Sequence, residues 1–309
     1  MSNTNTSDQL STSNTTSTAA SFDETGFART FTHYTADVNG TRLHYVMGGK
    51  GDPVVLLHGF PQTWYEWRKI MPILAERYTV IAPDIRGFGD SAKPTSGYDG
   101  RNMAEDIHQL VRQLGFERIF LVAHDMGTIV AFPYAAAYPE EVRCLAVLEL
   151  TIPGFGLEEM VKEGGFWWFG LHQAPNNLAE ELIAGRERAY LSWFLQGRTF
   201  DPAAITDEDV SEFERCYSQP GALSAAFSVW RALPETIQQN REAIARGKMQ
   251  MPVLALGADQ VMKTAPLESL QRVAVDVRGG EVERCGHFIP DERPEELAQQ
   301  LFAFFDEEK

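Results

Sequence analysis

At 309 residues, with 44% hydrophobic and 11% aromatic side chains, the chain has apolar material for one large α/β domain or a core domain carrying an insertion. Its 27 basic and 43 acidic residues leave a formal net charge of −16, a field that argues against nucleic acid or anionic membranes as partners and is indifferent to a small neutral substrate. Cys144, Cys216 and Cys285 lie far apart, make an odd count and show no CxxC spacing, so they suggest neither a disulfide framework nor a thiolate metal site.

Residues 1–22 are rich in Ser, Thr and Asn, lack an apolar core, and read as a disordered tail without the apolar stretch of a secretory signal. No later run is long and apolar enough to span a bilayer, and a cytoplasmic location is expected. Two alternating segments, 33–38 and 41–47, flank Asn39-Gly40, the strongest two-residue hairpin signal. Continuous apolar runs then alternate with helix-length amphipathic segments, the pattern of a mostly parallel sheet flanked by helices. Strands are predicted at 54–57, 78–83, 119–123, 144–150, 253–257 and 280–283, and helices at 100–113, 127–137 and 294–305. Between Leu150 and Met251 the alternation stops; helical, aromatic-rich sequence runs on for far longer than a loop. The organisation expected is an α/β core from 23–151 and 249–309, with a helical cap, 152–248, over the carboxyl ends of the strands, where open α/β sheets bind ligands.

The segment Leu121-Val122-Ala123-His124-Asp125-Met126-Gly127 runs from an apolar strand into a helix with a glycine two residues after Asp125. That is a strand-to-helix elbow, which presents a nucleophile on a strained turn. A carboxylate attacking an sp3 carbon gives an alkyl ester that water can cleave, whereas a serine would give an inert ether. Asp125 is ionised at neutral pH and needs no base for that first step. Substrates are therefore expected among alkylating agents such as epoxides and organohalides. The plainer role for Asp125 is a cap on the helix that follows.

His287, in Arg284-Cys285-Gly286-His287-Phe288-Ile289-Pro290, follows the last predicted strand and stands where a base can reach the elbow. Two carboxylates compete to orient it: Glu149, at the end of a strand where an unpaired charge is costly, and Asp259, after the next strand. Glu149 is favoured. The run Val54-Val55-Leu56-Leu57-His58-Gly59-Phe60-Pro61 ends a buried strand in a tight turn, so the N–H groups of Phe60 and Met126 are the expected oxyanion donors. His58 and His124 are read as shaping backbone.

Together these residues resemble the α/β-hydrolase superfamily branch of epoxide hydrolases and haloalkane and haloacetate dehalogenases, over about residues 31–305. The stretches HGFPQTWYEW (58–67), TVIAPDIRGFGDS (79–91), VAHDMG (122–127), LAVLELTIP (145–153) and GHFIPDERP (286–294) look most like the Cif-like epoxide hydrolases. That resemblance also implies a glutamate acid at the position of Glu149. In the cap the chain departs from the pattern: where epoxide hydrolases of this branch place a His or Tyr and a second Tyr, and fluoroacetate dehalogenases His, Trp and Tyr, it carries Trp167, Trp168 and Trp230, expected to contact substrate. An indole N–H donates but cannot give up its proton, which suits a departing halide better than an alkoxide. Against a haloacetate substrate, Met126 and Ile129 stand where fluoroacetate dehalogenases carry two arginines. The first reading is an epoxide hydrolase, the second a dehalogenase, the third a ligand-binding pseudoenzyme. No cofactor or metal is implied, a small-molecule epoxide or organohalide is the expected partner, and a homodimer is a further expectation.

Overall fold

The computed structural model describes residues 24–162 and 166–308, and the tail expected at 1–22 lies outside them. Helix α1 (Glu24–Thr30) leads into the hairpin β1 (Phe31–Val38) and β2 (Thr41–Gly49). Asn39 and Gly40 take φ values of 41° and 70°, the paired left-handed turn that matches the twist of a two-residue hairpin. After β3 (Pro53–Leu57) come a 3-10 turn at Trp64–Lys69, α2 (Met71–Leu74), β4 (Thr79–Pro83), α3 (Gly100–Gln113), β5 (Ile119–His124), α4 (Gly127–Ala137) and β6 (Val142–Leu148).

Seven helices, and no strand among the described residues, then precede β7 (Val253–Ala258). They are α5 (Leu157–Lys162), α6 (Trp168–His172), α7 (Leu178–Ile183), α8 (Glu187–Gln196), α9 (Asp207–Tyr217), α10 (Ala222–Arg231) and α11 (Leu233–Ile244). The chain closes with α12 (Ala265–Gln271), β8 (Val277–Val282), α13 (Ile289–Glu292) and α14 (Pro294–Asp306). No described helix is long and apolar enough to cross a membrane.

The eight strands form one sheet in the order β1-β2-β4-β3-β5-β6-β7-β8. β2 pairs antiparallel with β1 and β4, and the remaining pairings are parallel. Both faces are covered, which is why the strands read as unbroken apolar runs. Val54, Leu56, Val80, Phe120 and Val122 pack with Trp67, Met71 and Leu301 on one face. Val55, Leu57, Ile81, Leu121 and Ala123 pack with Leu110, Ile129 and Phe132 of α3 and α4 on the other. Each large aliphatic side chain so withdrawn from water contributes roughly 1.5–3 kcal/mol.

Two strand boundaries differ from expectation. β6 starts at Val142 and stops at Leu148, so Glu149 lies one residue past the strand with φ of 60°, while its N–H still donates to the Leu256 carbonyl of the next strand at 2.9 Å. β8 spans Val277–Val282, earlier than the predicted 280–283, because Gly279-Gly280 hides it from any apolar pattern. A Cβ on Gly279 would stand 1.8 Å from the Ala255 carbonyl oxygen, so close approach to β7 requires a bare backbone there.

Candidate active site

The predicted polar residues all follow the carboxyl ends of parallel strands: Phe60 after β3, Asp125 after β5, Glu149 after β6, Asp259 after β7 and His287 after β8. Asp125 has φ of 43°, a left-handed conformation uncommon for a residue with a side chain. Its neighbours permit the turn. A Cβ on Gly127 would stand 2.3 Å from the Leu57 carbonyl oxygen, and one on Gly59 would stand 2.8 Å from the Asp125 Cβ. The Asp125 N–H donates to the Leu148 carbonyl at 2.9 Å, fixing the elbow against β6. The N-cap of α4 is Met126, while the Asp125 carboxylate accepts the Phe60 N–H at 2.9 Å, so its side chain serves the cavity and not the helix.

His287 bridges Asp125 and Glu149. Its Nε2 lies 3.4 Å from Asp125 Oδ2, and its Nδ1 lies 2.8 Å from Glu149 Oε2. The other Glu149 oxygen accepts the Ala258 N–H, so this fully buried carboxylate has both oxygens engaged. Asp259 does not reach the imidazole. Its oxygens accept the N–H groups of Arg284 and Cys285 at 3.0 and 3.1 Å, and it anchors the loop that carries His287. That loop is also fastened to the insertion: the His287 N–H donates to the Arg198 carbonyl at 2.8 Å. Glu292 accepts N–H groups from both Gly286 and Phe200.

His124 does more than shape the elbow. Its Nε2 sits 2.8 Å from the His287 carbonyl, an acceptor only, and its Nδ1 is 3.0 Å from Glu66 Oε1 in a contact too oblique for a hydrogen bond that still carries the attraction of the charges. Glu66 Oε2 in turn accepts the Gly59 N–H at 2.8 Å. Through Glu66 and His124, one buried cluster therefore links the turn before Phe60, the residue before Asp125 and the loop that carries His287. Sequence reasoning missed Glu66, which sits within HGFPQTWYEW and lacks any local sign of its partner.

Burial alone would lower the His287 pKa, but the Asp125 and Glu149 carboxylates outweigh it and hold the imidazolium up to about 9. Burial would likewise raise Asp125; His287, His124 and the Phe60 N–H outweigh that and keep its carboxyl below the usual range. For His124, the Glu66 charge overcomes burial and raises the pKa.

A cavity of about 440 Å³ opens on Asp125, Glu149 and His287. Phe60, Trp168, Phe169, Arg198, Trp230 and Met262 help to line it. Trp230 is 1% exposed and its Nε1 has no hydrogen-bond partner among the described residues. Trp167 departs from expectation: it is 58% exposed, packs against Trp193 and does not line the cavity. Trp168 and Phe169 of α6 turn toward the cavity, while Trp167, at the N-cap before them, turns to solvent beside Trp193. His172 and Tyr217, given no role from sequence, are buried around Phe60; burial, with Arg198 and Arg231 nearby, lowers the His172 pKa to about 3 and keeps it neutral.

Two other features lie apart from these residues. A more open cleft of about 1060 Å³ is lined by Phe27, Trp64 and Arg68, but Arg68 is committed to Asp209 and Asp291. His44, Asp84 and Asp90 bring ligand-type atoms within 4.8 Å of one another. There Asp84 binds His44 and the N–H groups of Trp64 and Asp90, and Arg215 takes up Asp90, which accounts for the cluster as a structural knot.

A family model described as alpha/beta hydrolase fold matches residues 52–294. The chain is 38% identical over 285 residues to a soluble epoxide hydrolase of Corynebacterium sp. (strain C12), covering 89% of this chain and 97% of that protein. It is 34% identical over 210 residues to a fluoroacetate dehalogenase of Burkholderia sp., covering 63% and 67%. The crystal structure of wild-type Cfl2 from Burkholderia cenocepacia matches with a TM-score of 0.86 at 42% identity, covering 89% of this chain and 96% of that one.

Proposed function

The chain belongs to the alpha/beta hydrolase fold family, and we propose that it is an epoxide hydrolase working through a covalent ester on Asp125. The observation that carries this reading is a buried carboxylate at the elbow, 3.4 Å from an imidazole that a second carboxylate orients. In the first step an Asp125 oxygen bonds to an epoxide carbon as that carbon's bond to the ring oxygen breaks, leaving an alkyl ester and an alkoxide. The unpartnered Trp230 N–H supports the developing negative charge. Esterification removes one of the two charges that hold His287 protonated, so the imidazolium gives its proton to the alkoxide. Neutral His287, oriented by Glu149, then takes a proton from water as that water attacks the ester carbonyl. The N–H groups of Phe60 and Met126 hold the tetrahedral oxyanion, about 3 kcal/mol for each donor. Release of the diol returns Asp125 as a carboxylate and His287 as its conjugate acid.

In this reading the helices from α5 to α11 act as a cap that closes the cavity over the sheet, with Trp168 and Trp230 as its substrate contacts. Dehalogenation is the second reading, favoured by a cap that offers indole donors and by the similarity to a fluoroacetate dehalogenase. A cytoplasmic setting is supported by three cysteines that are all free and buried.

The test is His287→Gln incubated separately with epoxides and with haloalkanes and haloacids, followed by mass spectrometry of the peptide containing Asp125. An adduct with the full mass of the epoxide is expected. Halide release by the wild type with no diol would overturn the epoxide reading, and the absence of any Asp125 adduct would overturn the covalent one.

A further inference from the structure

Arg198 is a cation in the active-site cavity that has no acidic partner among the described residues. Three other arginines drawn in from the surface are neutralised: Arg68 by Asp209 and Asp291, Arg86 by Asp106, and Arg231 by Glu180. Arg198 forms no ion pair, and its side chain makes one hydrogen bond, from Nη1 to the Phe194 carbonyl at 3.1 Å. Its guanidinium carbon lies 4.0 Å from the Trp168 ring centre, 4.1 Å from Phe194 and 4.7 Å from Trp193. Stacking of this kind fixes the plane of the group and leaves its edge N–H donors for an acceptor lying in that plane. The position has a cost: burial lowers the pKa to about 10, the Asp125 charge opposing it. A partly desolvated charge is unfavourable unless something pairs with it.

We propose that Arg198 is the seat for a substrate carboxylate, so that the enzyme's substrates are small acids bearing an epoxide or a halogen, bound with the carboxylate at Arg198 and the reacting carbon at Asp125. The proposal rests on the covalent reading of Asp125. It places the anion on the insertion side of the cavity, opposite in chain origin to the apolar Met126 and Ile129 that follow the nucleophile. The chain's net charge of −16 repels an anion at long range. Salt screens that repulsion beyond about 8 Å, so the local cation decides binding.

The experiment compares kcat/KM for 2,3-epoxybutanoate and 2,3-epoxybutanamide, with a second arm using chloroacetate and chloroacetamide, on the wild type, Arg198→Gln and Arg198→Lys. The wild type should prefer an acid to its amide, and the arm that turns over identifies the reactive group. In Arg198→Gln the acid-to-amide ratio should fall about tenfold to a hundredfold, mainly through KM, with Arg198→Lys restoring part of it. Equal losses on acid and amide, or a wild-type preference for the amide, would overturn the proposal. Calorimetric titration with unreactive butanoate and butanamide reads the pairing without chemistry. Tighter butanoate binding by the wild type than by Arg198→Gln upholds the seat even if no substrate is turned over, and the covalent reading is then judged separately by the Asp125 adduct. Equal binding by the two proteins overturns the seat.

Discussion

Glu66 Oε1 and His124 Nδ1 stand 3.0 Å apart, with neither side chain exposed at all, and against the effect of burial the nearby carboxylate raises the His124 pKa. Removing one charge from such a pair strands the other in a low-dielectric interior, at a cost of about 3–5 kcal/mol. Glu66→Gln keeps the size of the side chain and an acceptor for the Gly59 N–H, so the change isolates the charge. Denaturant unfolding should register a loss of about that magnitude, and kcat should fall because Asp125 loses a neighbouring cation. A loss below about 1 kcal/mol would mean that the pair is neutral.

The two reacting groups set the pH profile. With Asp125 held below the usual carboxylate range and His287 raised to about 9, the free enzyme carries a carboxylate and an imidazolium across the neutral region. kcat/KM for epoxide opening should be flat from about pH 5 to 8, and should fall as pH rises through about 9 and His287 loses the proton that the alkoxide needs. Rapid-quench measurement of ester formation checks the same limb. A rate that climbs through that region would show that neutral imidazole serves the first step.

The two loop carboxylates should separate cleanly. Glu149→Gln removes the group that orients His287, and hydrolysis of the ester should slow by roughly 10³–10⁴ so that alkylated enzyme accumulates. Asp259→Asn weakens two backbone contacts and should lower the unfolding temperature only slightly, with less than about a tenfold loss of rate. Stopped-flow kinetics with thermal unfolding reads both, and the opposite ranking would return the acid's role to Asp259.

The tryptophans should divide likewise. Trp230→Phe keeps the packing but deletes the unpartnered N–H of a ring that lines the cavity, and ester formation should slow by roughly 10²-fold if that donor serves the leaving oxygen. Trp167→Phe alters an exposed ring and should leave single-turnover rates within about twofold. If both variants behave alike, the donor lies elsewhere in the insertion.

Much of this was legible in the chain because strong local signals happened to be the functional ones. Asn39-Gly40 specifies its own turn, apolar runs specify buried strands, and the elbow requires its small residues for steric reasons that act within a few positions. What stayed hidden depends on contacts between distant segments. Nothing around Glu66 announces a histidine 58 positions on, and Gly279-Gly280 conceals β8 because its glycines answer to the backbone of β7. The tryptophans between β6 and β7 show the same limit: sequence names aromatic residues in a helical segment, but only the orientation of α6 decides that Trp168 lines the cavity and Trp167 does not.

The base loop and the insertion are stitched together by main-chain bonds, His287 to Arg198 on one side and Phe200 with Asp201 to Glu292 on the other. Swinging the insertion aside as a rigid hatch would tear those stitches and pull the imidazole out of line. With those stitches intact, we expect traffic to pass through the mouth of the cavity between its lining side chains. Molecular girth, more than reactivity, then sets the upper bound on what this enzyme can process.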